Sequence, residues 1–326
     1  MNRVSCLLVL LLALTGCLRQ SVPDTTGGPN PPKIYLQMDW YAQADHGGYY
    51  EALVKGYYRE AGLDVTILEA GPGIAGGQRL ATGATQFAIG RCDETIVQVA
   101  RDIPVVMVAA QMQHDPMALL IHQENPVNTF ADLKGKSVMT TPGANWVNYL
   151  QRRYHIEFSI IPLNFGMAQF MADPNYIQQC FITNEPYYVE KNGGHPKTIL
   201  LSESGFDPYR ALIGNADFVA QHPKITQAFV DASLRGWKDY LYGDPTPANR
   251  EIMKRNVQMT PDFIAFAYAA MKKYHLPEGD PAKGETLGGL SRKRLQEQID
   301  ALQLIGVLDR PVTVDEIAAL QFTQKP

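Results

Sequence analysis

"MDWYAQADHGGYYEALVKGYYREAGLDVTI", Met38 to Ile67, decides how the rest of the chain is read. It begins as the alternating stretch Lys33–Asp39 ends, and it runs into Asp64–Glu69; both spell strands. Between them Tyr50, Leu53, Val54, Tyr57 and Tyr58 fall at helical spacing. Asp45 is placed to cap that helix and Gly62 to close it. Strand, helix and strand in this order build a parallel sheet. The stretch also poses a functional question. Trp40 and Tyr41 end the first strand, and His46, Gly47, Gly48 and Tyr49 open the helix. Those residues suit a flat ligand with polar edges, and they suit an ordinary packed helix end.

The alternation continues outward. A glycine-rich loop, Gly71–Gly77, leads to a helix at Gln78–Thr82, a strand at Gln86–Gly90, a helix at Asp93–Arg101 and a buried strand at Pro104–Ala110. Met117–His122 is a further strand, after which the pattern restarts. Strands are expected at Lys136–Thr140, Ile160–Leu163 and Ile177–Ile182. Helices are expected at Pro142–Tyr154, with Thr141 as cap, at Met167–Ala172 and at Pro186–Asn192. Tyr209–Gly214 returns as a strand. Beyond it the chain is chiefly helical, over Pro223–Tyr242, Asn249–Arg255, Pro261–Tyr274 and Ser291–Ile305. This is an α/β protein of two lobes: residues 33–118 with 212–326 form lobe one, and residues 119–211 form lobe two. Two strands cross between the lobes, which makes a hinge and a closing cleft. A ligand belongs where strand C-termini and helix N-termini face that cleft.

The ends and the composition set the compartment. Arg3, the apolar run Leu7–Leu14 and the small residues before Cys17 read as a secretory signal over residues 1–16. Leu14-Thr15-Gly16-Cys17 matches the bacterial lipoprotein box, in which the cysteine is lipidated and becomes the new N-terminus. Residues 17–32 are polar and rich in Pro and Gly, a tether between membrane and domain. The expected location is the cell envelope, outside the cytoplasm. A net charge of −4 without a basic run excludes a nucleic-acid partner. Of four cysteines, Cys92 and Cys180 remain after Cys6 and Cys17 are accounted for; placed in different lobes, they are expected to be free and buried.

Candidate ligand contacts follow from the cleft. Trp40 and Tyr41 are placed to stack on a ring. His46, neutral at a helix N-terminus, can donate or accept one bond. Tyr49 is preferred over Tyr50 for the cleft, because Tyr50 continues the apolar stripe. Asp93 or Glu94 accepts from a ligand donor, or the pair simply opens a helix. Gln113 and His114 lie in the turn before the first crossing. Thr141, Asn145 and Trp146 form the opposing jaw. Glu185, at the end of a strand and the start of a helix, is placed to accept hydrogen bonds from a ligand's donor edge. Asp45 disfavours an anion at the first helix. No Ser/His/acid trio, metal-ligand spacing or phosphate loop is present, so neither metal nor cofactor is expected.

The segments "HGGYYEALVKGYYREAGLDVTI", "QFAIGRCDETI", "PVVMVAAQ", "FADLKGKSVMTTPG" and "FITNEPYYVEKNG" follow one another as in the solute-binding proteins of ABC importers. The chain resembles their nitrate/sulfonate/taurine-like group, and within it the branch related to the thiamine-pyrimidine-precursor synthase. The resemblance runs from residue 33 to about 310. It implies a periplasmic-binding-protein type II fold, a planar heteroaromatic ligand, an ABC permease as partner and a monomer. Riboflavin-like rings and alkylsulfonates are the alternative ligands. That family also contains pyrimidine-making enzymes with a cysteine-rich motif. The motif is missing here, which favours binding over synthesis.

Overall fold

In the computed structural model, the described residues are 26, 30–72, 74 and 76–323. The expected signal, the lipidated Cys17 and most of the tether lie outside them. The first lobe opens with β1 (Lys33–Gln37), α1 (Gly47–Val54), α2 (Tyr57–Glu60), β2 (Asp64–Leu68), α3 (Gly76–Ala81), β3 (Phe87–Arg91), α4 (Cys92–Ala100) and β4 (Val105–Met112). The chain then crosses into β5 (Met117–His122), β6 (Ser137–Thr140), α5 (Asn145–Tyr154), β7 (Ser159–Pro162), α6 (Ala168–Ala172), β8 (Ile177–Phe181), α7 (Glu185–Lys191) and β9 (Pro196–Leu200). It returns through β10 (Arg210–Asn215) to α8 (Ala216–Gln221), α9 (Pro223–Tyr242), α10 (Thr246–Arg255), α11 (Pro261–Lys273), α12 (Arg292–Leu304) and α13 (Val314–Ile317).

Two five-stranded sheets result, ordered β2-β1-β3-β10-β4 and β7-β6-β8-β5-β9. Each is built alike. Two strands flank a third in parallel, and then one strand from a crossing enters antiparallel: β10 between β3 and β4, β5 between β8 and β9. All of β5 pairs in the second sheet and all of β10 in the first. The crossings are therefore residues 113–116 and the segment between β9 and β10. β9 was not expected from the sequence. It is a short edge strand that starts at Pro196, a residue that weakens any strand signal.

Local differences have local causes. The single helix expected after Asp45 is a 3-10 turn at Ala44–His46, then α1, then a break at Gly56, whose φ of 79° is open to glycine alone at low cost, then α2. Asp45 caps nothing. Likewise α5 starts at Asn145 with Ala144 at its N-cap, not at Pro142 with Thr141, because Gly143 turns the chain at φ 78°. The first lobe's sheet is covered on one face by α1 and α9 and on the other by α4, α12 and α13, giving two apolar clusters. The second lobe has its own core around Leu119, Phe130, Val138, Trp146 and Leu150. Cys92 and Cys180 are free and buried, one in each lobe.

Candidate functional site

The C-terminal ends of the parallel strands in both lobes open onto one cleft of about 640 Å³. That volume falls within the roughly 300–1,000 Å³ of small-molecule sites. Asp39 and Trp40 follow β1, Arg91 and Glu94 follow β3, Thr141 follows β6, Phe165 follows β7, and Phe181 and Glu185 sit at the end of β8. Strand ends gather these groups because side chains beyond the last ladder bond are released toward the interlobe space.

Of the residues singled out in the sequence, Trp40, Tyr41, Glu94, Thr141 and Glu185 line this cleft. Trp40 meets Phe165 of the other lobe, ring centroids 5.2 Å apart, and Tyr41 edge-on at 5.5 Å. Glu185 accepts the Phe181 N–H through Oε2 at 2.7 Å, and burial pushes its carboxyl up to about 7. A carboxyl in that range can accept from a donor when ionised and donate when protonated.

The other expectations are corrected. His46 is buried and donates Nε2–H to Asp39 Oδ1 at 2.8 Å. Burial lowers its imidazole to about 4, so it is neutral and acts behind the cleft wall, on Asp39. Tyr49 is 1% exposed and packs edge-on against Trp237. Neither it nor Tyr50 reaches the cleft, because Gly47–Ala52 of α1 are buried, with α9 and α10 packed against the helix. Gly47 and Gly48 serve that packing: a Cβ on either would lie 2.2 Å from the rings of Tyr240 and Trp237, respectively. Asp93 is buried in an ion pair with Arg91 and accepts from Asn145 Nδ2 at 3.0 Å. Asn145 is thereby committed to the opposite lobe rather than to the cleft. Trp146 is a core residue of lobe two, beside Phe158. Gln113 is 1% exposed and donates to the carbonyls of Thr286 and Gly289, both at 2.7 Å. It fastens the first crossing to the C-terminal segment, as do His114, Asp207, Glu285 and Arg294 around it.

Sequence reasoning missed two arginines. Arg91, at the end of β3, is buried; its Nε bonds Asp93 at 3.0 Å and its Nη1 lies 3.1 Å from Asp115. Burial works against its charge, but Asp115 and Asp93 outweigh burial and hold the guanidinium above its usual range. Arg210 pairs with Asp39 and lies over the Phe181 ring. Both sit in otherwise apolar strands, FAIGR and YRALIG. An unpaired charge in a buried strand is prohibitive, so each position was a legible sign of a buried carboxylate partner. Phe165 carried no such signal, since its placement follows from a left-handed backbone at φ 60°. Gln178 Nε2 lies 3.1 Å from Met167 Sδ, while its Oε1 is buried without a partner among the described residues.

The lobes also touch directly. Thr183 Oγ1 donates to Asp45 Oδ2 at 2.7 Å, and Asn145 bonds Asp93. Tyr187 stacks on Phe263 at 4.5 Å, and Lys191 reaches Asp262 at 3.0 Å. The two jaws thus touch on both sides of the cleft. Among the described residues no group of His, Cys, Asp and Glu could hold a metal ion, and no helix is long and apolar enough to cross a membrane.

A family model described as "NMT1/THI5 like" matches residues 43–248. The formylaminopyrimidine-binding protein of Halalkalibacterium halodurans is 23% identical over 96% of this chain and 97% of its own. The riboflavin-binding protein RibY of Chloroflexus aurantiacus is 25% identical over 72% of each. Among solved structures, the alkanesulfonate-binding protein SsuA from Xanthomonas axonopodis pv. citri bound to MOPS superposes with a TM-score of 0.66 and 15% identity. It covers 90% of this chain and 99% of that one, and it shows the two-lobed periplasmic-binding-protein fold.

Proposed function

The chain belongs to the NMT1/THI5-like family, and on that premise we propose that it captures a small heteroaromatic molecule between its lobes and delivers it to an ABC permease. The ligand class is that of a thiamine-pyrimidine precursor. The observation that carries this reading is the pairing, in one interlobe cleft, of flat side chains with the Glu185 carboxyl. Trp40, Tyr41, Phe165 and Tyr188 offer faces for a ring, and Glu185 offers an acceptor for its amino edge. Stacking contributes about 0.5–1.5 kcal/mol beyond area burial, and a charge-assisted hydrogen bond about 1.5–3 kcal/mol.

Binding without bond chemistry is the mechanism. Ring capture holds both jaws together, and closure presents a single surface to the permease. Lipid anchoring at Cys17 completes the proposal and rests on the Leu14-Thr15-Gly16-Cys17 stretch alone. An enzyme using pyridoxal phosphate needs a lysine at the cofactor, and among the described residues no lysine lines the cleft.

The test is a thermal-shift screen of the purified chain with formylaminopyrimidine, riboflavin and an alkylsulfonate, followed by mass spectrometry of whatever co-purifies. A ligand at a hundred times its Kd stabilises the folded state by about 2.7 kcal/mol. A rise with the pyrimidine and none with the sulfonate supports the reading. A rise with the sulfonate alone overturns it.

A further inference from the structure

The charges of the cleft do not balance, and the imbalance has a direction. Both guanidiniums at its wall are matched by protein carboxylates: Arg91 by Asp93 and Asp115, Arg210 by Asp39. Two further carboxyls line the cleft without an ion pair to a cation among the described residues, Glu185 on lobe two and Glu94 on lobe one. Glu94 is the more open of the two. It lies in the first turn of α4, and no described residue bonds its side chain. Its side chain is exposed on the cleft wall. Two acids therefore line a cleft whose guanidiniums already have carboxylate partners.

Resting on the ring-binding reading above, we propose that Glu94 is a specificity residue that receives an amine-bearing arm of the ligand, at the end remote from Glu185. The ligand class narrows accordingly to a heteroaromatic ring with one amino edge and one ammonium substituent. Glu185 reads the edge from lobe two, and Glu94 takes the arm from lobe one. Each end of such a molecule is held by a different jaw, so both contacts exist together only when the cleft is closed. An anionic ligand meets the opposite condition. It finds no unmatched cation and two unmatched acids that repel it. Asp93 cannot take this role, because Arg91 and Asn145 already occupy it.

The experiment is calorimetric titration of the full chain with two probes that share one 4-aminopyrimidine ring. One bears an aminomethyl arm and the other the same arm formylated, which removes the charge and keeps the ring. The wild type is expected to bind the aminomethyl probe tighter by roughly 10- to 100-fold, the range of one charge-assisted bond. Glu94→Gln is expected to bring the two probes within threefold of each other while leaving affinity for the formylated probe within threefold of the wild type. Glu94→Asp should retain part of the preference, and thermal midpoints of all variants establish that they fold. Equal affinity of the wild type for both probes, or a preference that survives in Glu94→Gln, overturns the role of Glu94 and leaves the ring-binding reading standing. Failure of both probes to bind removes that reading and this inference with it.

Discussion

Gly236→Ala tests whether the glycine pair after the first strand serves packing. Gly236 lies in α9 at its closest approach to α1. A Cβ there would stand 2.2 Å from the Gly48 carbonyl oxygen, 2.6 Å from the Ala52 Cβ and 2.8 Å from the Ala52 nitrogen. Two of those atoms are backbone, so no rotamer change relieves the contact; the helices must separate. Helix propensity alone argues the other way, since alanine in a helix interior is favoured over glycine by about 1 kcal/mol. Overpacking of a tight core costs about 1–3 kcal/mol, and a backbone clash belongs at the upper end. The net expectation is a loss of about 2 kcal/mol. Urea unfolding followed by circular dichroism measures it, with Gly83→Ala as a comparison at a position where a Cβ meets nothing within 4 Å but φ is 73°. Gly48→Ala should behave like Gly236→Ala, because its Cβ would lie 2.6 Å from the Trp237 Cα. Ligand affinity of the folded fraction should be unchanged within threefold in each. A Gly236→Ala protein as stable as the wild type, or one that is stable but has lost binding, would refute the packing account.

Three further outcomes follow from the same geometry. Arg91→Met should destabilise by roughly 3–5 kcal/mol, because it leaves Asp93 and Asp115 buried without their cation; thermal unfolding reads this, and a loss under 1 kcal/mol would mean the pair is effectively solvated. Thr183→Val removes the donor to Asp45 across the jaws, so small-angle scattering should show a more open protein and ligand affinity should fall by roughly 10-fold; an unchanged radius and affinity would show that closure does not use that bond. Burial raises the Glu185 carboxyl to about 7, so its contribution to stability is fullest below its ordinary range and is lost as pH rises through about 7. Glu185→Gln should flatten the decline of the unfolding midpoint between pH 5 and 8, and an identical slope in the variant would place the titration elsewhere.

What the sequence disclosed, and what it withheld, divides along the range of the interactions. The alternation of strands and helices is written in local periodicity, and so the two-lobed α/β fold could be read from it, although the strands expected to cross between the lobes each pair within one sheet. The same holds for Trp40 and Glu185, because a residue immediately after a strand is near a cleft whenever strand ends face one. His46 and Tyr49 failed for a shared reason. Nine and twelve residues past the end of β1, the chain has turned under the lobe, and what a side chain meets there depends on elements as far away as α9, nearly two hundred positions on. Nothing within Met38–Ile67 announces Trp237 or Tyr240. The same long-range partners explain why Gln113, Asn145 and Asp93 look like ligand contacts in the sequence and prove to be fastenings of lobe to lobe or crossing to tail. Their chemistry was judged correctly, since each makes the polar bonds its side chain allows, but the partner is protein. Glu94 is the converse case: indistinguishable from Asp93 in sequence, it differs only in that Arg91 and Asn145 converge on its neighbour and leave it open. A site in a two-jawed protein is therefore found by subtraction. The polar groups that remain after the jaws have satisfied one another are the ones available to a ligand.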